Sequence, residues 1–209
     1  MHHRKLGRTP KVRAFERTAA GKISFTGVLL VGGESRRMGS DKALLRCSAG
    51  EPLWSRQLKL LAQVQPQCIW ISARTNPTWS PAGIEVVLDL PPARGPLSGL
   101  CACLKRLETT HLIVLAIDMP RMIVDHVKKL CSLARPSQSV LPVNGDYFEP
   151  LCAIYSKSAE PFASALLPDK TYSLQRLSQR LIDEKLANSY PLSTAEKSLY
   201  LNVNRREDM

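Results

Sequence analysis

Short apolar runs alternate with stretches in which apolar residues recur every three or four positions, and this alternation holds over most of the chain. Val28-Leu29-Leu30-Val31, Cys68-Ile69-Trp70-Ile71-Ser72, Ile84–Asp89 and Leu112–Ile117 read as buried strands. Helical spacing links Leu53, Gln57, Leu58, Leu60 and Leu61 as far as Pro66. It also links Leu97, Leu100, Leu104 and Leu107 after Gly95-Pro96, and Val124, Val127 and Leu130 after Pro120. Ser139–Val143 and Leu151–Tyr155 predict two further strands around the turn Asn144-Gly145-Asp146. Helices over 157–167 and 173–187 follow, then a last strand over Leu199–Asn204. Strands separated by helices of this length predict an α/β fold, with right-handed crossovers and a mostly parallel central sheet covered on both faces. Such sheets bind ligands beyond the carboxyl ends of their strands. Gly32-Gly33, Asp89 and Asp118 all fall there.

The length of 209 residues suits one compact domain. The apolar runs are too short to span a bilayer, and the polar, basic start lacks the apolar segment of a secretory signal. The net charge of +11 first suggests a nucleic-acid binder, but its distribution argues otherwise. Residues 1–24 hold seven Lys and Arg against one Glu, which leaves +5 elsewhere. The division expected is a basic, disordered tail over 1–24 and one domain over 25–209. The residual charge suits an enzyme of phosphorylated substrates. Six cysteines, without a Cys-x-x-Cys pair, predict small buried thiols in a reducing cytoplasm. His111 and His126 lack zinc spacing.

The chemistry concentrates in Gly32–Lys42, a glycine turn directly after the first strand that carries Glu34, Arg36, Arg37 and Lys42. Bare N–H groups and cations at the end of a strand are suited to a polyphosphate. The spacing is neither that of a Walker loop nor G-x-G-x-x-G. A plain basic turn would use the same residues, with Arg37 and Lys42 as solvated charges. Asp118 reads either as a cap for the next helix or as a hard ligand for Mg²⁺. Beside a nucleotide loop the metal reading is favoured. Asn202 and Asn204 share a face at period two.

The run Leu30–Leu45, with Gly32-Gly33, Arg37-Met38-Gly39 and Asp41-Lys42, resembles the signature of the molybdenum cofactor guanylyltransferase family. Glu51-Pro52-Leu53-Trp54, Gly95–Leu100, Asp118-Met119-Pro120, Glu149-Pro150-Leu151 and Asn202-Val203-Asn204 are similar to that family's later motifs, in the same order. The resemblance implies a three-layer Rossmann-like nucleotidyltransferase fold and transfer of GMP from GTP to the molybdenum–molybdopterin cofactor, with release of pyrophosphate. It implies phosphate and guanine contacts at Leu30, Val31, Gly32, Gly33, Lys42, Asp89 and Asp118. Arg37, Lys42 and Asp118 would be catalytic, and Asp118 would hold Mg²⁺ with Asn204 beside it. GTP and the pterin would be its substrates, with transient contacts to molybdopterin-synthesis proteins or molybdoenzyme chaperones. Val31 stands where the family usually has Ala, and Arg74 near a position where some members carry Asn. The rival readings are a cytidylyltransferase acting on the same pterin and a non-catalytic GTP-binding protein.

Overall fold

In the computed structural model, which describes residues 22–31, 42–47, 50–92, 95–169 and 172–202, β1 (Phe25–Leu30) lies at the middle of an eight-stranded sheet. It pairs in parallel with β2 (Cys68–Ala73) on one side and β4 (His111–Ala116) on the other. β3 (Glu85–Leu88) adds in parallel outside β2. β7 (Cys152–Ser156) is antiparallel to β4, and β5 (Ser139–Asn144) is antiparallel to β7. Two antiparallel steps restore the direction, so the carboxyl ends of β1, β2, β3, β4 and β5 share one edge. The short β6 (Tyr147–Phe148) and the late β8 (Ala187–Pro191) both pair with β5. The mostly parallel sheet expected from the sequence therefore describes the core, and the β4–β7–β5 side is mixed.

Period-two alternation sends neighbouring strand residues to opposite faces. Val28, Leu30, Leu112, Val114, Ala153 and Tyr155 pack under α2 (Pro96–Arg106), α4 (Glu160–Leu166) and α5 (Leu174–Asp183). Leu29, Ile71, Ile113, Leu115 and Ile154 pack under α1 (Leu53–Val64) and α3 (Val124–Ser132). These are the three layers. No helix among the described residues is long and apolar enough to cross a membrane. All six cysteines are free, but only Cys101, Cys103 and Cys152 are buried. Burial pushes the Cys101 thiol up to about 11 and those of Cys103 and Cys152 up to about 12. Cys47 and Cys131 are half-buried and Cys68 is exposed, which corrects the uniform expectation. His111 is structural: its Nε2 lies 3.1 and 3.0 Å from the carbonyls of Arg135 and Gln138.

The C-terminal third departs from the sequence reading. The helix expected to reach 187 stops at Asp183, because Lys185 takes a left-handed φ of 57° and turns the chain into β8. β8 reads Ala-Asn-Ser-Tyr-Pro and is largely exposed, so it carries no apolar run to announce it. The last strand expected over Leu199–Asn204 is instead a 3₁₀ turn, Ser198–Tyr200, behind the short helix α6 (Thr194–Lys197); Asn204 lies outside the described residues. Tyr200 is buried, and its hydroxyl sits 2.7 Å from His126 Nε2 and donates to the Cys152 carbonyl at 3.4 Å. Glu196 ties the same segment down, accepting from Tyr190 Oη at 2.7 Å and Lys129 Nζ at 2.9 Å, with His126 Nδ1 at 3.4 Å.

Candidate active site

Leu30 and Val31 are fixed from both sides at the exit of β1. The Val31 N–H donates to the Ser72 carbonyl at 3.0 Å, and the Ile117 N–H donates to the Leu30 carbonyl at 3.1 Å. Gly32, Gly33 and Arg37 lie outside the described residues. The chain resumes at Lys42 in a single 3₁₀ turn, Lys42–Leu44, anchored by buried Ala43 and Leu45. The Leu53 N–H donates to the Leu45 carbonyl at 2.8 Å, which ties this turn to the start of α1.

Lys42 Nζ lies 3.7 Å from Asp118 Oδ2, with each side chain 21% exposed. Asp118 stands two residues beyond β4. It does not cap α3, which begins at Val124 behind Ile123. Burial raises its carboxyl pKa above the usual range, and the Lys42 ammonium opposes that rise. Its second oxygen, Oδ1, is buried and has no hydrogen-bond partner among the described residues. A buried carboxylate oxygen left unmet is costly, and a hard cation can satisfy it. The turn that carries Asp118 is braced from α1: Gln57 Nε2 donates to the Met119 carbonyl at 2.7 Å and Arg56 Nη2 to that of Met122 at 2.9 Å. Gln57 is fully buried within the apolar stripe of α1. A polar residue on that stripe was the signal in the sequence, and it went unread.

Asp89 follows β3 on the same edge, its N–H donating to the Ala73 carbonyl at 3.0 Å. Ser72 Oγ donates to Asp89 Oδ1 at 3.4 Å. Burial raises the Asp89 pKa, while Arg74 and the Ser72 hydrogen bond pull against it. Gly99 of α2 comes close beneath: a Cβ there would meet Ser72 Oγ at 2.3 Å and Asp89 Oδ1 at 3.0 Å. Glycine at 99 lets α2 approach β2 and hold Asp89 from below. Ser72 was missed because a small polar residue at the end of an apolar strand carries no chemical signal of its own. Arg74 is exposed just past β2.

The structure thus pairs Lys42 directly with Asp118 and sets Leu30, Val31 and Asp89 along the same edge. Among the described residues no three His, Cys, Asp or Glu side chains gather into a metal cage. The edge therefore offers the Asp118 carboxylate flanked by a cation, an arrangement that a metal carried in on phosphate oxygens would complete.

Comparison with known proteins agrees with this architecture. The MobA-like NTP transferase domain matches residues 27–186. A protein of Opitutus terrae named "Probable molybdenum cofactor guanylyltransferase" is 34% identical over 193 residues, which cover 91% of this chain and 95% of that protein. The crystal structure of molybdopterin-guanine dinucleotide biosynthesis protein A from Archaeoglobus fulgidus superposes with a TM-score of 0.69 at 25% identity, over 88% of this chain and 94% of that one. The fold is shared, at 15% identity and a TM-score of 0.59, with the manganese complex of Rv0371C from Mycobacterium tuberculosis, over 81% of this chain and 88% of that one.

Proposed function

The chain belongs to the MobA-like NTP transferase family, and on that footing we propose that it transfers GMP from GTP to the phosphate of the molybdenum–molybdopterin cofactor. A terminal phosphate oxygen of the pterin attacks the α-phosphorus of GTP. The new P–O bond forms as the α–β bridging bond breaks, and pyrophosphate leaves. Such transfer depends on placement and charge neutralisation more than on a covalent catalyst.

The observation that carries this reading is the Lys42–Asp118 pair at the carboxyl edge, with Asp118 Oδ1 buried and unmet among the described residues. Lys42 offsets the charge that builds on the departing pyrophosphate. Backbone groups at Leu30 and Val31, continued by Gly32 and Gly33, line the nucleotide, and Arg37 adds a second cation. Asp89, backed by Ser72 and Gly99, faces the nucleoside side. Asp118 would hold a hard divalent cation, Mg²⁺ in the cell; Asn204, outside the described residues, is the second ligand proposed. When bound, that ion polarises phosphate oxygens and aligns the two substrates. The reaction belongs to the cytoplasm, where its nucleotide is abundant.

Turnover of GTP and CTP with the molybdenum–molybdopterin cofactor tests the proposal. Pyrophosphate released with GTP, and a guanine dinucleotide product, is the expected result. Release with CTP alone would assign the cytidylyl reaction instead, and nucleotide binding without release would make the protein a sensor.

A further inference from the structure

The hairpin from β5 to β6 carries chemistry that the GTP half of the site does not use. Asn144 and Tyr147 face each other across the hairpin, and Phe148 alternates to the opposite face, where it packs against the core beneath α2, α4 and α5. Period two returns Glu149 to the face of Tyr147. Asn144 Nδ2 confirms this by donating to Glu149 Oε1 at 3.4 Å. That long bond is the one the Glu149 carboxylate accepts among the described residues, and the group is half-buried. Tyr147 is 71% exposed, the most exposed of the large apolar side chains among the described residues.

The hairpin is also held rigid. Gln175 of α5 grips the backbone of Phe148 from both sides: the Phe148 N–H donates to Gln175 Oε1 at 3.0 Å, and Gln175 Nε2 donates to the Phe148 carbonyl at 2.6 Å. A two-residue strand fastened this way holds its backbone in place, which lowers the entropy cost of binding. Its place is the carboxyl edge of β5, which shares the edge of Asp118. The Ala116 N–H donates to the Leu151 carbonyl at 2.8 Å, with Asp118 two residues past one partner and Glu149 two before the other. Asp89 and the β1 exit lie on the other side of β4, so the hairpin and the nucleotide half flank Asp118 from opposite directions.

We infer that Asn144 and Glu149 read the amino–oxo pyrimidine edge of the pterin acceptor, with Tyr147 against its ring. This rests on the guanylyl-transfer reading above. A 2-amino-4-oxopteridine presents in line an oxo acceptor, a ring N–H and an exocyclic amine. Asn144 supplies the complementary donor, and the two carboxylate oxygens of Glu149 supply the acceptors, with the charge assistance that makes such paired bonds strong. An aromatic ring beside a planar heterocycle adds stacking. Guanine carries the same edge, but the hairpin's β5 and β6 lie two and three strands from β4, about 10–15 Å at the usual strand spacing, on the side away from Asp89. The geometry assigns this edge to the acceptor.

Glu149→Gln keeps the shape and leaves an amine donor facing a donor. At saturating GTP it is expected to raise the acceptor KM tenfold or more, with kcat and the GTP KM within about twofold of wild type. Tyr147→Ala, a surface change, raises the acceptor KM alone by a smaller factor. An unchanged acceptor KM in Glu149→Gln overturns the inference, as does a rise in the GTP KM in its place. A wild-type enzyme that releases no pyrophosphate from GTP would instead bring down the guanylyl-transfer reading itself, so the two failures are told apart by the wild-type control.

Discussion

Lys42 Nζ sits 3.7 Å from Asp118 Oδ2, joining the segment after β1 to the turn after β4. The two residues are 76 positions apart in the chain, and the parallel β1–β4 pairing brings them to one edge. Their charges are unequally served, because Asp118 keeps a second oxygen buried without a partner among the described residues.

That inequality predicts opposite effects on stability with the same effect on rate. Asp118→Asn removes a poorly compensated buried charge, so its Tm is expected to equal or exceed that of wild type while turnover falls about 10²-fold or more. Lys42→Ala leaves the carboxylate without its cation and lowers stability by about 1 kcal/mol, with a comparable loss of turnover. The double variant is no slower than the worse single one, since the two groups act together. Calorimetry and pyrophosphate release measure both sides. A wild-type rate in either single variant would remove that residue from the mechanism.

Gly99 predicts a coupled pair. Gly99→Ala drives a Cβ to 2.3 Å from Ser72 Oγ and is expected to cost about 1–3 kcal/mol, while raising the GTP KM through Asp89. Ser72→Ala removes the clashing oxygen and should recover part of that loss in the double variant. A double-mutant cycle in urea reads the coupling; additive losses would mean that α2 shifts instead of pressing on Ser72.

The C-terminal segment predicts acid sensitivity. Burial holds the His126 pKa below its usual value, against the pull of Glu196. The unfolded chain therefore takes up a proton first as pH falls below about 6.5, and stability declines from there. His111, lowered chiefly by burial, adds in the same direction. Glu196 feels burial raising its pKa, but the donors Tyr190, Ser193 and Lys129 outweigh it and hold the carboxyl well below the usual range. Its contribution is present above the unfolded value near 4.3 and is lost as pH falls toward the folded one. Melting curves from pH 7.5 to 3.5 should show Tm falling in both windows, and His126→Gln should flatten the upper one.

Nucleotide choice is readable without turnover. At about one hundred times Kd, GTP with Mg²⁺ contributes about 2.7 kcal/mol, which for a domain of this size raises Tm by about 5–10 °C. CTP should give a smaller shift, and EDTA should reduce the GTP shift. Equal shifts for both nucleotides would leave base selection to the turnover assay.

The strongly apolar strands were legible residue by residue. β2, β3 and β4 fall within one residue of their expected limits, while β1 starts at Phe25, three residues before the run Val28–Val31 that announces it; β4, buried throughout, needs an unbroken apolar run. β8 was not legible, because an exposed strand needs no such run. The 3₁₀ turn Ser198–Tyr200 was read as strand for a related reason. Leu199, Tyr200 and Leu201 look like part of an apolar strand, but Tyr200 turns inward to reach His126 and Cys152, partners 74 and 48 residues away. At the site, Lys42 stood out as a cation of the glycine turn, and Asp89 and Asp118 as charges at strand ends. Ser72, Gln57 and Gln175 did not, since their roles lie in contacts that no local pattern encodes.

The sequence by itself determined the layered α/β fold and the strand edge at which Asp89 and Asp118 stand. Those follow from periodicity and from where polar residues interrupt apolar runs, both local properties of the chain. Only the tertiary structure decided that Lys42 meets Asp118, that Gly99 leaves no room above Ser72 and that Gln175 clamps the hairpin bearing Tyr147 and Glu149. Each of these depends on how far apart two distant segments come to rest. Packing between layers sets that distance to a fraction of an ångström, and no residue pattern along one strand or helix specifies it.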